Sequence, residues 1–159
     1  MSSFYKRFQE TKIWIEKVKA HAKKFGFVTT IVGRRRYLDE INSNDSNKRA
    51  QAERQAVNSI IQGSAADLIK LAMLKICSSL SNWHKDNKSD SSFIAPRLLL
   101  QIHDELLFEV SNSTNVINRM KETVIRCCGD ECYQDLKLKV PLNLNCSIGD
   151  TWGTMTTLE

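Results

Sequence analysis

Two adjacent carboxylates, Asp104 and Glu105, lie between two strongly apolar runs of the sequence, residues 98–102 and 106–110, with His103 directly before them. A charged pair is costly to hold between buried strands unless a cation is bound or the pair reaches solvent. Mg²⁺ suits such a pair, because it prefers carboxylate and water oxygens and is usually bound together with substrate phosphates. An exposed acidic turn and a hydrogen-bonded structural histidine are the alternatives that this short motif leaves open.

A polar stripe on a predicted helix is a second candidate site. Arg54, Asn58 and Gln62 recur at every fourth position, so they share one helix face. Arg can pair with phosphates, while Asn and Gln can hydrogen-bond sugar oxygens or the minor-groove acceptors that every base pair presents. The stripe can therefore follow a nucleic-acid duplex without reading its sequence, although a solvated helix face would have the same composition.

Three consecutive arginines, Arg34, Arg35 and Arg36, offer further contacts to a nucleic-acid backbone, with salt-dependent affinity. A solvated basic turn is the alternative. The charge is uneven along the chain: residues 1–76 carry 15 Lys/Arg against 7 Asp/Glu, and residues 77–159 carry 8 against 11. A basic half indicates a polyanionic partner, and an acidic half with neighbouring carboxylates indicates metal or substrate chemistry.

Length and composition bound the remaining possibilities. At 159 residues, with 42% hydrophobic and 26% charged residues, the chain is typical of one soluble domain. No apolar run approaches the roughly 20 residues of a membrane span, and the first 16 residues are unlike a signal peptide. The five cysteines are an odd number without CxxC spacing. They predict free thiols in a reducing, intracellular compartment rather than a zinc site.

The elements that would position these residues follow from the hydrophobic spacing. A basic amphipathic helix is predicted from Phe4 to Lys24, ended by Gly26. Strands at 27–32 and 37–38 form a hairpin around the basic turn. A long helix runs from about Lys48 to Leu80, and Gly63 within it marks a bend or a place where another backbone or a ligand comes close.

The second half predicts mostly strands around one helix. After a polar loop at 83–92, the apolar runs around residues 103–105 form a buried β-hairpin with an acidic tip. A helix covers about 114–132, and period-two alternation predicts a strand or strand pair across 136–148. The expected fold is α+β, with an antiparallel sheet packed on long helices.

Taken together, these segments resemble the last part of family A DNA polymerases, the group that contains bacterial DNA polymerase I and the eukaryotic polymerases theta and nu. The resemblance covers most of the chain, with the loop at 83–92 the clearest gap. The matching motifs, in chain order, are Gly26-Phe27-Val28, Gly33-Arg34-Arg35-Arg36-Tyr37-Leu38, Ala52-Glu53-Arg54-Gln55-Ala56-Val57-Asn58, Gln62-Gly63-Ser64-Ala65-Ala66-Asp67, Gln101-Ile102-His103-Asp104-Glu105-Leu106 and Gly149-Asp150-Thr151-Trp152-Gly153.

The resemblance implies roles for these residues. All of residues 1–159 would be one incomplete polymerase domain, with the end of the fingers up to about Asn47 and the palm from the long helix onward. Asp104 would bind the catalytic Mg²⁺ ions, with Glu105 a supporting carboxylate and His103 close to the primer terminus. The stripe would touch template-primer DNA near the nascent base pair. The implied reaction is attack of the primer 3′-hydroxyl on a deoxynucleoside triphosphate, assisted by two Mg²⁺ ions.

Parts of the family's site have no counterpart in this sequence. The family also needs an aspartate from motif A and a lysine, an arginine and a tyrosine from the main fingers helix. We therefore expect the isolated chain to be inactive, as a fragment or one piece of a longer product. The alternative is a DNA-binding module without catalysis. The wording of the motifs is closer to the theta/nu branch, with a lean towards nu, which would imply a nuclear role in repair or translesion synthesis.

Overall fold

The computed structural model describes residues 2–86 and 93–158, and the chain divides after Asp67 into two compact units. The first unit contains α1 (Ser2–Arg7), α2 (Gln9–Phe25), β1 (Phe27–Thr29), β2 (Arg35–Tyr37), a 3₁₀ turn (Asp39–Asn42) and the first half of α3 (Ser46–Asp86). The second contains the rest of α3, then β3 (Arg97–Ile102), β4 (Glu105–Glu109), α4 (Thr114–Val124), a π-helical segment (Ile125–Glu131), α5 (Cys132–Asp135), β5 (Ser147–Ile148), a 3₁₀ turn (Trp152–Thr154) and β6 (Thr156–Thr157).

The basic N-terminal helix is present, interrupted at Phe8, and it ends where the sequence predicts. Gly26 has a positive φ of 74°, and its N–H donates to the carbonyl of Ala22 at 2.8 Å. This is a left-handed cap, which glycine adopts without the steric cost of a Cβ. Val18 and Ala22 on α2 join a core that also contains Val28, Leu38, Ile41, Ala52 and Ala56.

The predicted strand at 27–32 ends early, at Thr29. Thr30 and Arg34 pair through the Thr30 N–H and the Arg34 carbonyl at 2.9 Å, which leaves the three-residue loop 31–33 between them. Gly33 has a φ of 83°, the left-handed position that such loops require. Arg35 and Arg36 lie in β2, so the prediction that all three arginines form the turn is wrong for these two.

Helix α3 runs unbroken through Gly63 and is longer than predicted at both ends. Trp83, predicted to begin a polar loop, is a helical residue of this element and 5% exposed. It packs in the second unit's core, and the Arg119 guanidinium lies 4.0 Å from its ring centroid. The burial of that ring extends the helix by a turn and a half beyond Leu80. The remainder of the predicted loop, 87–92, lies outside the described residues.

The predicted helix at 114–132 is present but changes its winding in the middle. Residues 125–131 form a π-helical segment, and Cys127, Cys128 and Gly129 are all buried there. Three consecutive buried positions cannot lie on one face of a regular α-helix, where neighbours diverge by about 100°. The segment is therefore covered on more than one side: Cys127 and Cys128 belong to the core of the second unit, and Leu142 and Leu144 lie close to Gly129.

The predicted α+β class is confirmed, with the strands arranged as three two-stranded antiparallel sheets in the part that the structure describes. The expected strand pair across 136–148 is wrong for 136–146, which pairs with no strand in the described ranges; only β5 pairs, with β6. Leu136, Leu138, Leu142 and Cys146 are still half-buried. Alternation here reflects one-sided side-chain packing without a backbone ladder.

Candidate functional site

The acidic tip predicted between the apolar runs is a two-residue turn. Ile102 pairs with Glu105 across β3 and β4, so only His103 and Asp104 connect the strands. His103 has a φ of 53°, whereas Asp104 does not have a positive φ, which is the pattern of a type II′ turn. A non-glycine residue in this region stores about 1–2 kcal/mol of strain. The Gln101 side-chain amide donates to the His103 carbonyl at 2.7 Å and supports the conformation.

The carboxylates at this tip reach solvent. His103, Asp104 and Glu105 are exposed, so the pair reaches solvent, which is one of the two arrangements that the sequence allows. Glu105 is the first residue of β4 rather than part of the turn. Leu106 and Phe108 pack against the core of the second unit. Since successive side chains on a strand point to opposite faces, Glu105 lies on the face away from that core.

The rest of the hairpin is held by packing on one face and an ion pair at its open end. Arg97 and Glu109 approach to 2.6 Å there. The pairing shifts between Leu98 and Leu100, so Leu99 forms a bulge. Leu99 and Leu100 are 51% and 46% exposed, contrary to the prediction of a buried strand. The hairpin therefore presents one apolar face to the core and leaves apolar side chains of β3 exposed.

The donor set at the tip fits Mg²⁺ in part. Asp104 and Glu105 offer the one or two carboxylates that a protein usually contributes to this ion, the other ligands being water and substrate phosphates. Within residues 2–86 and 93–158, no three His, Cys, Asp or Glu side chains are grouped so that they could hold a metal. The tip by itself therefore offers two carboxylates, and an ion bound there would need its further ligands from outside the described residues.

The polar stripe lies on α3 as predicted. Arg54, Asn58 and Gln62 are exposed or half-buried, whereas Ala52 and Ala56 of the same helix are buried. The three stripe side chains form no hydrogen bond or ion pair within the described part of the chain. The stripe is thus a row of one cation and two amides available to a partner.

The glutamate beside the stripe is already occupied. Glu53 lies 2.7 Å from Lys23 Nζ and 3.4 Å from Lys19 Nζ. The hydrogen bond from Lys23, together with the two lysine charges, lowers the pKa of the Glu53 carboxyl against the opposing effect of burial. Glu53 therefore ties α2 to α3 and leaves the Arg54 charge uncompensated.

The three arginines do not act as one group. Arg34 forms an ion pair with Asp67 at 3.0 Å and donates to the Gly63 carbonyl at 3.2 Å. Arg35 lies over the Phe27 ring, with its guanidinium 4.8 Å from the centroid. Arg36 is exposed on β2. Arg35 and Arg36 remain available to an anionic partner, whereas the guanidinium of Arg34 is engaged within the chain.

Sequence reasoning missed three residues of this region: Gly63 as a hydrogen-bond acceptor, Ser64 and Asp67. Ser64 Oγ accepts the Ile31 N–H at 2.9 Å. Asp67 is 8% exposed, and an almost fully buried carboxylate is rare without a partner. Asp67 lies four residues after Gly63 and therefore on the same helix face. This spacing is the one sequence signal that could have indicated that a basic side chain pairs with Asp67.

Comparison with known proteins places this arrangement in a family. The model of the family described as DNA polymerase family A matches residues 1–154. The chain is also similar to a solved structure, the POL domain of Pol1 from M. smegmatis in complex with DNA primer-template and dNTP. The TM-score is 0.75 at 38% identity, and the match covers 90% of this chain and 23% of that chain.

Curated relatives agree. DNA polymerase I of Mycobacterium tuberculosis is 36% identical over 152 residues, covering 96% of this chain and 15% of the relative. DNA polymerase theta of Drosophila melanogaster is 38% identical over 156 residues, covering 94% of this chain and 7% of the relative. The chain thus spans a small part of the length of the proteins it matches. It belongs to DNA polymerase family A.

Proposed function

We propose that this chain is the part of a DNA-directed DNA polymerase that supplies a metal-binding hairpin and a duplex-contacting helix for nucleotidyl transfer to a primer 3′-hydroxyl. The observation that carries the proposal is the strained two-residue turn, which presents Asp104 in solvent with Glu105 beside it. Strain at an exposed acidic turn is typical of a functional site.

The residues of the hairpin would divide the work. Asp104 would bind Mg²⁺ directly, and Glu105 would add a second carboxylate beside it. His103 would lie near the primer terminus. Two bound Mg²⁺ ions would lower the pKa of the attacking hydroxyl and stabilise the leaving pyrophosphate. The hairpin's packing through Leu106 and Phe108 would keep the carboxylates in a fixed position.

The partners would be template-primer DNA and deoxynucleoside triphosphates, the two ligands of the similar mycobacterial complex. The stripe Arg54, Asn58 and Gln62 would contact the duplex, with the Arg54 guanidinium on a phosphate and the two amides in the minor groove. Arg35 and Arg36 would add contacts to the DNA backbone. None of the helices in the described part of the chain is long and apolar enough to cross a membrane.

Isolated, the chain would not polymerise DNA. The motif A aspartate and the lysine, arginine and tyrosine of the main fingers helix have no counterpart in the resemblance. Activity would require those groups from a longer product or from another chain.

The branch and the pathway are finer proposals. The motifs 26–36 and 101–110 favour the theta/nu branch, with a lean towards nu, and with it a nuclear role in repair or translesion synthesis, or in replication. The identities do not separate the branches, since they are 36% and 38% for the mycobacterial and Drosophila relatives. This assignment rests on the wording of the motifs.

A non-catalytic DNA-binding module is the second candidate. Two observations favour it. All three side chains of the stripe are exposed, whereas no three potential metal ligands are grouped in the described residues. Such a module would bind duplex DNA equally well with and without Mg²⁺, and the change Asp104→Ala would leave that binding unchanged.

Primer extension by the longest product containing this sequence separates the two candidates. We expect template-dependent incorporation that requires Mg²⁺ and falls at least about 1,000-fold in Asp104→Ala, because a metal ligand is lost. Asp130→Ala, an exposed acidic residue on the π-helical segment, is the matched control and should retain activity. Equal extension by Asp104→Ala and the parent would exclude the proposed role.

A further inference from the structure

The loop between β1 and β2 is fastened to α3 by a set of polar contacts. We name this set the clasp and define it as Thr30, Arg34, Gly63, Ser64 and Asp67. All five residues lie in the first compact unit. The clasp joins the loop between β1 and β2 to the middle of α3. It contains three residues, Gly63, Ser64 and Asp67, to which the proposed polymerase reaction gives no role.

Arg34 makes the central contacts of the clasp. Its Nε donates to Asp67 Oδ1 at 3.0 Å, and its Nη2 donates to the Gly63 carbonyl at 3.2 Å. Gly63 and Asp67 are one helical turn apart, so the planar guanidinium bridges that turn in a fixed orientation. The Asp67 side chain is 7% exposed, which shields this ion pair from solvent on one side.

The loop is also held through its backbone. The Ile31 N–H donates to Ser64 Oγ at 2.9 Å, and the Arg34 N–H donates to Thr30 Oγ1 at 3.2 Å. These bonds satisfy loop groups that strand pairing leaves unpaired. The loop is thus fixed at both of its ends.

Gly63 is the position at which the loop comes closest to the helix. A Cβ on this glycine would lie 2.7 Å from Thr30 Cγ2 and 3.4 Å from Arg34 Nη2. The first distance is shorter than any real contact, so only glycine permits this approach. The sequence predicts a bend here or the approach of a backbone or a ligand. The helix is instead unbroken, and the groups nearest to Gly63 are the side chains of Thr30 and Arg34.

The clasp lies between the two sets of proposed DNA contacts. On α3 it begins at Gly63, directly after Gln62 of the stripe. On β2 it ends at Arg34, directly before Arg35 and Arg36. Each set of proposed contacts is thus bonded directly to a clasp residue. A shift of the loop along α3 would therefore move Arg35 and Arg36 relative to the stripe.

We propose that Arg34 is a positioning residue and not a DNA contact: with Asp67 and Gly63 it fixes the geometry in which Arg35, Arg36 and the stripe meet one duplex. The inference rests on the proposed function. The Arg34 side chain is 52% exposed, but two of its three guanidinium nitrogens, Nε and Nη2, already donate to the protein. Asp67 also compensates its charge, which leaves Nη1 of an already paired cation for a phosphate.

Duplex binding by the 159-residue chain, measured as anisotropy of a labelled primer-template hairpin over a range of salt, tests this assignment. Asp67→Asn removes a negative charge and no DNA contact. A positioning role predicts about fivefold weaker binding with an unchanged salt slope. Arg34→Lys keeps the charge but cannot bridge both acceptors, and it should weaken binding equally. The double variant should be no weaker than either single variant, because one contact is broken in each.

A direct phosphate contact by Arg34 predicts the reverse. Asp67→Asn would then bind as tightly as the parent or more tightly, and Arg34→Lys would be close to the parent. Either result overturns the inference. Arg36→Gln is the control for a true contact: its salt slope should fall by about 0.9, the value for one lost phosphate contact.

Hydrogen exchange keeps the clasp testable even if the parent chain fails to bind DNA, a result that would count against the proposed function alone. The Ile31 amide should exchange at least about fivefold faster in Asp67→Asn and Arg34→Lys than in the parent, because its bond to Ser64 opens. The Gly26 amide, bonded to Ala22 within the α2 cap, should be unchanged. Unchanged exchange at Ile31 would contradict the clasp.

Discussion

Lys23 Nζ lies 2.7 Å from Glu53 Oε1, so the residue directly before Arg54 ties the basic helix α2 to α3. Lys19 approaches the same carboxylate at 3.4 Å. Two lysines of α2 are thus held against α3 by one acidic side chain, that of Glu53. The contact gives the first unit a dependence on pH.

Acid should weaken the first unit through Glu53. The hydrogen bond from Lys23 lowers the pKa of this carboxyl in the folded chain. Its stabilising contribution is therefore complete above the unfolded pKa, near 4.5, and is lost as the pH falls through the lower folded value. Glu53→Gln should cost about 0.5 kcal/mol at pH 7 and less at pH 2. Thermal unfolding between these pH values measures the difference, and an equal cost at both would contradict it.

Two glycines of the C-terminal motif should respond differently to alanine. A Cβ on Gly149 would lie 2.8 Å from the Thr154 carbonyl oxygen and 2.9 Å from the Met155 backbone nitrogen. Because backbone cannot move aside cheaply, Gly149→Ala should destabilise the chain by about 2 kcal/mol. A Cβ on Gly153 would have no described atom within 4 Å, so Gly153→Ala should change the free energy of unfolding by no more than about 0.5 kcal/mol.

Urea unfolding of the two variants measures this contrast. Equal stability of Gly149→Ala and Gly153→Ala would show that the backbone at Thr154 and Met155 does not lie as close to Gly149 as described. The comparison is internal, since the two glycines are four residues apart and both belong to the motif 149–153.

The cysteines should differ in reactivity. All five, which lie within the described ranges, are free thiols; Cys77 is exposed and Cys128 is buried. Burial raises the pKa of the Cys128 thiol to about 12, so almost none of it is thiolate at pH 8. Iodoacetamide at pH 8 should modify Cys77 and spare Cys128 in the folded chain. Peptide mass spectrometry measures the modification of each cysteine, and rapid modification of both thiols would contradict the burial of Cys128.

High pH should loosen the contact between α3 and α5. Lys75 lies 2.8 Å from Asp135 and 3.2 Å from Glu131. Hydrogen bonds to Asp135 and then Glu131 raise the pKa of Lys75 in the folded chain. Its contribution is complete below the unfolded pKa, near 10.5, and is lost as the pH rises through the higher folded value. Lys75→Met should remove this alkaline loss of stability, and an unchanged profile between pH 9 and 12 would contradict it.

Local rules predicted the elements whose signals lie in adjacent residues. Gly26 ends α2 as its conformational freedom requires, and the stripe on α3 follows from the four-residue spacing alone. The acidic turn followed from two apolar runs separated by three residues. These features depend on chain geometry, which a sequence carries directly.

Features that depend on distant packing could not be predicted in the same way. The contact between Arg34 and Asp67 joins residues 33 positions apart, and no spacing rule connects them. Trp83 looks like the start of a polar loop until the core that buries it is known. Residues 136–146 alternate like a strand because one side packs, and nothing local shows that no strand within 2–86 and 93–158 pairs with them.

Metal-directed cleavage tests the central claim most directly. In the longest product containing this sequence, bound to primer-template and a deoxynucleoside triphosphate, Fe²⁺ replaces Mg²⁺, and hydrogen peroxide and ascorbate are added. The Fe²⁺ is oxidised to Fe³⁺ as it splits the peroxide into hydroxide and a hydroxyl radical that cuts nearby backbone, and ascorbate reduces the Fe³⁺ again. We expect cleavage within about five residues of Asp104 in the parent and none there in Asp104→Asn, because the carboxylate holds the ion. Cleavage elsewhere only, or cleavage at the hairpin that persists in Asp104→Asn, would contradict the assignment of this turn as a metal-binding site.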